Sequence, residues 1–371
     1  MLCGTAWRKA KLSAACRRRK NHLTYHQDRP DFHDGTWALY LALFGESLMD
    51  ANQQNTGFSE KRQTLTKLLL NFYSKYKNVE SPKLYSDDEL YKLIRDLLAV
   101  VSDNNQMNIL ALRSYDALQD DESRQIYACL FLCRCIGVAD IAGVFAELFL
   151  VILKNRLMEK GKDLSDYDDY DCDFFLGKQY FSLPQVKLLR GDNEVFIDCG
   201  AYDGGTIKNF VEFSGGKYNK IYSFEPIPRL YEEALRNIKN ADIQRVELIQ
   251  KGVWSHEAVL NFADIGTGSM ICEGGPIPVN VVAIDEVVPK DEKVTFIKMD
   301  VEGAEFEALM GAENTIRRCK PKLAVCLYHK PSDVVEIPAL ITSFSPEYKF
   351  YIRQHHARIL TETVLYALPQ Q

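Results

Sequence analysis

In the second half of this chain, residues able to do chemistry recur at the ends of short apolar runs. Asp198 and Gly200 end the run around Val195 to Ile197, with Tyr202, Gly204 and Gly205 close behind. Glu225 ends the next run, 27 positions beyond Asp198. Lys251, Gly252, Val253 and Trp254 follow a third. Asp300 and Glu302 follow a fourth, and His329 and Lys330 a fifth. A carboxylate at Glu225 can accept hydrogen bonds from both hydroxyls of a ribose. Val253 and Trp254 offer apolar and aromatic surface to a flat ring, although Trp254 suits a core equally well. Glycine serves where the backbone turns sharply and comes close to a ligand. The spacing Gly200-x-x-x-Gly204 is not the G-x-G-x-x-G turn that cradles a pyrophosphate.

The elements that must position these groups follow from periodicity. Glu194 to Asp198 reads as a buried strand, and Thr206 onward as a helix with Ile207, Phe210 and Val211 on one face. Strands are expected at 220–225, 246–250, 294–299 and 322–328, with helices at 229–238, 303–317 and 334–344. Two extra strands at 258–262 and 279–283 flank a glycine-rich loop, Gly266 to Gly275. Strands at 348–353 and 363–366 close the pattern as an antiparallel pair. This alternation predicts an α/β fold with a mostly parallel sheet, which binds ligands beyond the carboxyl ends of its strands at the topological switch point. Five strands ending in polar residues or glycine make a more specific signal than any one motif.

The first half reads differently. Residues 36–160 carry helical spacing, as in Leu65, Leu68, Leu69 and Phe72, and a capping box at Ser86 to Glu89. This predicts an all-helical N-terminal domain that packs on the α/β part, shapes an acceptor pocket or forms a homodimer contact. Residues 1–35 are basic and read as a disordered extension, although RNA binding or a transit peptide would suit the charge. Residues 161–178 form an acidic linker without the glycine and glutamate of a calcium loop. The formal net charge of −6 argues against a nucleic-acid partner. Arg134, Asp140 and Glu147 interrupt the longest apolar stretch, so no membrane span is expected. Ten scattered cysteines without a C-x-x-C pair point to reduced thiols and a cytoplasmic location, and no metal site is expected, although Asp300 and Glu302 leave metal dependence open.

The glycine turn after Asp198 resembles motif I of methyltransferases that use S-adenosylmethionine (SAM). The block Lys298-Met-Asp300-Val-Glu302-Gly-Ala-Glu305 resembles the signature of the FkbM-type methyltransferase family. So do Phe196 to Gly205, Phe224-Glu-Pro226, Pro321 to Lys330 and Glu362 to Tyr366. The resemblance covers about residues 179–369. It implies a class I, Rossmann-like methyltransferase domain over 179–371, SAM as cofactor, and methyl transfer to a hydroxyl of a sugar, glycoside or secondary metabolite. The cofactor would lie against Asp198, Gly200, Tyr202, Gly204, Glu225, Gly252, Val253 and Trp254. Asp300, Glu302 and His329 are the expected catalytic groups, with His329 the natural base near neutral pH. An NAD-dependent oxidoreductase and a non-enzymatic assembly protein are the rival readings.

Overall fold

The computed structural model describes residues 91–92, 95–96, 105–135, 179–186, 193–264, 269–271, 275–330, 332–355 and 362–370. The expected basic extension, the helices before residue 91, the acidic linker and most of the glycine-rich loop lie outside them. Among the described residues, no helix is long and apolar enough to cross a membrane.

Two helices come first, α1 (Asn105–Asp116) and α2 (Asp121–Cys135). Then β1 (Glu194–Cys199), α3 (Gly205–Phe213), β2 (Tyr218–Phe224), α4 (Pro228–Asn240) and β3 (Val246–Ile249) alternate. A small four-stranded sheet follows, built from β4 (Gly252–Val253), β5 (Ala258–Asp264), β6 (Ser269–Ile271) and β7 (Ile277–Val282). The main sheet resumes after α5 (Ile284–Val287) with β8 (Phe296–Met299), α6 (Glu305–Met310), α7 (Glu313–Cys319), β9 (Lys322–Cys326) and α8 (Asp333–Phe344). It ends with β10 (Lys349–Gln354) and β11 (Thr363–Leu368).

The main sheet has seven strands in the order β10-β11-β9-β8-β1-β2-β3. All neighbours pair in parallel except β11, which runs antiparallel to both β9 and β10. The expected terminal antiparallel pair is therefore present, with β11 inserted inside the edge. The switch point falls at β1, where the chain leaves toward β2 on one side and later returns at β8 on the other.

β1 is buried on both faces, as its continuous apolar run requires. Its side chains alternate between two cores. Phe196 joins Ile207, Phe210, Ile221 and Phe296 on the α3 face. Val195, Ile197 and Cys199 join residues of α1, α2 and α6–α8 on the other. Phe196 and Phe210 stack at 4.3 Å between ring centroids. The N-terminal helices thus share a core with the sheet. Gln119 N donates to Phe350 O at 3.0 Å, and the Arg353 guanidinium on β10 pairs with Asp120 at 2.5 Å.

The expected continuous helix over 303–317 is two helices, α6 and α7, separated at Gly311. A Cβ at Gly311 would stand 1.9 Å from the Trp254 carbonyl oxygen, so only glycine allows the strand-end segment to come this close. Asp285 accepts from Thr315 N and Asn314 N, both at 2.8 Å, and so caps α7 from outside the helix. β6 is a strand within the stretch expected to be loop.

Candidate active site

The turn after β1 is set by register. Asp198 lies opposite Ser223 on β2 and Lys298 on β8, so three adjacent strands place these side chains in one buried row. Ser223 Oγ donates to Asp198 Oδ2 at 3.1 Å, and Lys298 Nζ stands 3.3 Å from Oδ1. The same ammonium donates to Gly200 O at 2.7 Å and Cys199 O at 3.2 Å. It also lies 5.3 Å from the Tyr180 ring centroid. Burial opposes the charge on Lys298, but the Asp198 and Asp300 carboxylates outweigh it and hold the ammonium above its ordinary pKa. Burial pushes the Asp198 carboxyl up against the pull of Lys298 and Ser223. Asp198 therefore sits beneath the turn and braces it.

Gly200 has φ 89°, and a Cβ there would stand 2.0 Å from the Asp300 carbonyl oxygen. No other residue fits between β1 and β8. Its amide donates to Phe224 O at 3.0 Å. Gly204, φ 82°, ends the turn at the start of α3. Tyr202 between them also adopts a left-handed backbone, φ 52°, and the residue is 43% exposed.

Glu225 follows β2 and reaches back to this turn. Its Oε2 accepts from Tyr202 N at 2.8 Å and its Oε1 from Ile227 N at 3.0 Å. Burial pushes its carboxyl up to about 7, against the two backbone donors. Gly252 and Val253 are buried beside β7. Trp254 is partly buried against Ile227, Leu230 and Val281, and its amide donates to Val282 O at 3.0 Å. Val253 is thus core, and Trp254 is a core-edge residue beside Glu225's segment.

The carboxyl ends of β8 and β9 gather a second group. Asp300 Oδ2 accepts from Tyr180 OH at 2.9 Å, and Oδ1 from Tyr328 OH at 3.0 Å. Burial opposes its charge, but Lys298, His329 and these two hydroxyls hold the carboxyl below its ordinary value. His329 Nδ1 lies 2.7 Å from Glu305 Oε1. Its Nε2 stands 3.6 Å from Asp300 Oδ1 and 3.5 Å from Glu302 Oε2. Burial would lower the imidazole's pKa, yet Glu305, Asp300 and Glu302 together push it up to about 9. His329 thus holds a proton at neutral pH. Glu302 lies at the rim with φ 55°, and burial raises its carboxyl. Glu362, raised to about 7 chiefly by burial, accepts from Gln179 Nε2 at 2.7 Å nearby.

The two groups share one edge of the sheet, joined through Lys298 and the Gly200–Asp300 approach. All three expected catalytic residues come together. Tyr180, Glu305, Tyr328 and Glu362 are not among the site residues that the sequence suggests. Tyr328 precedes His329 directly and was within reach of sequence reasoning. Tyr180 acts across 120 positions and leaves no local signal.

This strand order, with polar groups at the carboxyl ends of β1, β2, β8 and β9, defines a class I methyltransferase-like α/β protein. Residues 198–354 match the family model described as the methyltransferase FkbM domain. A crystal structure of the methyltransferase FkbM from Methylobacillus flagellatus KT is similar, with a TM-score of 0.53 and 21% identity. The match covers 74% of this chain and 65% of that one, so this chain spans just under two thirds of that protein's length. An rRNA methylase from Streptococcus thermophilus is 15% identical over 48% of this chain and 89% of that one, with a TM-score of 0.33. Aeropyrum pernix fibrillarin, solved with bound S-adenosyl-L-methionine, is 13% identical over 49% of this chain and 70% of that one, with a TM-score of 0.31. No curated protein matches the chain.

Proposed function

We propose that this protein is a SAM-dependent O-methyltransferase acting on a hydroxyl of a small molecule or glycan, such as a sugar, glycoside or secondary metabolite, in the cytoplasm. One observation carries the reading. Glu225 and the Gly200–Gly204 turn stand beside Asp300, Glu302 and His329 at the switch point of an FkbM-type sheet. The residues fit the cofactor. Glu225 uses one acceptor site on each oxygen for a backbone amide, which leaves further lone pairs for two ribose hydroxyls. Exposed Tyr202 donates its amide to Glu225, and partly buried Trp254 packs on the cluster that holds Ile227, two residues further on. Asp198 and Lys298 keep the turn in place from below. The same reading assigns residues 179–371 to the catalytic unit and the preceding helices to its cover.

SAM supplies, when bound, an electrophilic methyl group whose sulfonium leaves as a neutral thioether and needs no acid. The chain must orient the acceptor and remove its proton. His329 is already protonated, so we assign the proton to Glu302, whose raised carboxyl is a better base than Asp300. Asp300 is fixed by two tyrosines and Lys298 and orients the acceptor, while His329 can donate a hydrogen bond to its oxygen. A positioned base contributes about 10²–10⁴-fold in rate.

Calorimetric titration with SAM and S-adenosylhomocysteine, with NAD as control, tests the cofactor. Transfer of labelled methyl to a panel of sugars and glycosides then tests the acceptor. Binding of both SAM compounds and not NAD is expected. A folded protein that binds neither would leave the assembly-protein reading in front.

A further inference from the structure

The two nitrogens of His329 have different surroundings. Nδ1 faces Glu305 Oε1, which also accepts from Val301 N at 2.9 Å. Nε2 is buried without a hydrogen-bond partner among the described residues, on a side chain only 10% exposed. It points between Asp300 Oδ1 at 3.6 Å and Glu302 Oε2 at 3.5 Å. Both gaps exceed a normal N–H···O bond. They match the edge of a coordination polyhedron, because ligands about 2.1 Å from a tetrahedral metal stand roughly 3.4 Å apart.

We propose that His329 Nε2, Asp300 and Glu302 bind a divalent first-row transition-metal ion. His329 and Asp300 belong with Glu305 to a group whose ligating atoms lie within 4.8 Å of one another, and Glu302 approaches this group from the rim, 3.5 Å from Nε2. Glu305 is fully buried and has a second oxygen without a partner among the described residues, so the negative charge here exceeds what one imidazole offsets. Two of the three ligands are braced from behind. Glu305 orients the imidazole through Nδ1–H, and the Tyr180 and Tyr328 hydroxyls hold Asp300. Such carboxylate–histidine pairs fix the ring and raise its basicity toward a metal. One imidazole nitrogen with carboxylate oxygens suits Mn²⁺, Fe²⁺, Co²⁺ or Zn²⁺ better than Mg²⁺ or Ca²⁺. The ion takes the place of the proton on Nε2. In the methyl-transfer reading, on which this clause alone rests, the acceptor oxygen joins the ion and its proton passes to the free oxygen of Glu302.

The full chain, stripped with a chelator and dialysed, is titrated with Mn²⁺ under electron paramagnetic resonance and with Co²⁺ by visible absorption. SAM is absent, so the result does not depend on methyl transfer. Stoichiometric binding that excess Mg²⁺ does not displace is expected. Glu305→Gln should weaken it by about 10–100-fold through the lost support of His329. His329→Ala and Glu302→Gln should weaken it at least as much. Glu302 lies at the rim, so its variant keeps the test open if His329→Ala does not fold. A folded wild type that binds neither ion, or binding unchanged in Glu302→Gln, would overturn the proposal.

Discussion

Burial holds the Glu225 carboxyl near the middle of the physiological pH range, at about 7. The ribose contacts proposed for it need the ionised form, so SAM affinity should rise as pH increases through neutrality. Calorimetry at pH 6 and pH 8 would read this as a lower Kd at the higher pH, and Glu225→Gln should lose most of the difference. Hydrogen bonds to a charged group contribute about 1.5–3 kcal/mol. Glu225→Ala should therefore weaken binding by one to two decades. Stability has the opposite sign. The folded carboxyl holds its proton more tightly than the unfolded one, so stability falls as pH rises from 4.5 to about 7. Glu362 adds to the same window, and His329 extends the loss from 6.5 to about 9. Denaturant midpoints across pH 5–9 should decline, and Glu225→Gln should flatten the lower part. Lys298 has a different cost. Lys298→Met leaves the buried Asp198 carboxyl without its counter-ion, which should destabilise the protein by about 3–5 kcal/mol in urea unfolding.

Strands and turns set how far such groups can be placed. Gly200→Ala forces a Cβ into the Asp300 carbonyl at 2.0 Å and strains a left-handed backbone. It should lower stability and SAM affinity together, whereas Glu225→Ala should affect mainly affinity. Phe196→Ala removes the stacked partner of Phe210 on the far side of the sheet and should cost about 3–5 kcal/mol with the site geometry retained. The same elements show why sequence reading reaches only so far. β1 and β8 were legible because both faces are buried and their apolar runs stop at a carboxylate or glycine. β6 was not, since three residues in a glycine-rich stretch carry no period. The break at Gly311 was hidden for another reason, because its cause is the carbonyl of Trp254, which is distant in sequence. Asp198 shows the limit at the site itself. Its residue type was readable, but the direction of its carboxylate depends on Lys298, which reaches it only through the β1–β8 register.

At the scale of the molecule, α1 and α2 serve as a wall of the core. Tyr115, Leu118, Ile126, Tyr127, Leu130 and Phe131 are buried in the cluster that also holds Val195 and Ile352. Arg353 ties the two parts together through Asp120 and Glu122. A chain beginning at residue 179 should therefore expose this face. It should bind a hydrophobic dye and aggregate at concentrations where the full chain stays monodisperse, as light scattering would show.

The insertion of β11 between β9 and β10 bears on how the protein is made. The ribosome delivers β10 before β11, yet β10 has no place on the sheet until β11 has paired with β9. A nascent chain halted before Thr363 carries the open edge of β9, the kind of surface that invites pairing with other chains. Leu327 N, just before His329, donates to Thr363 O at 2.9 Å. Pairing of β11 thus also ties down the end of β9 that carries His329, through a strand the ribosome delivers last.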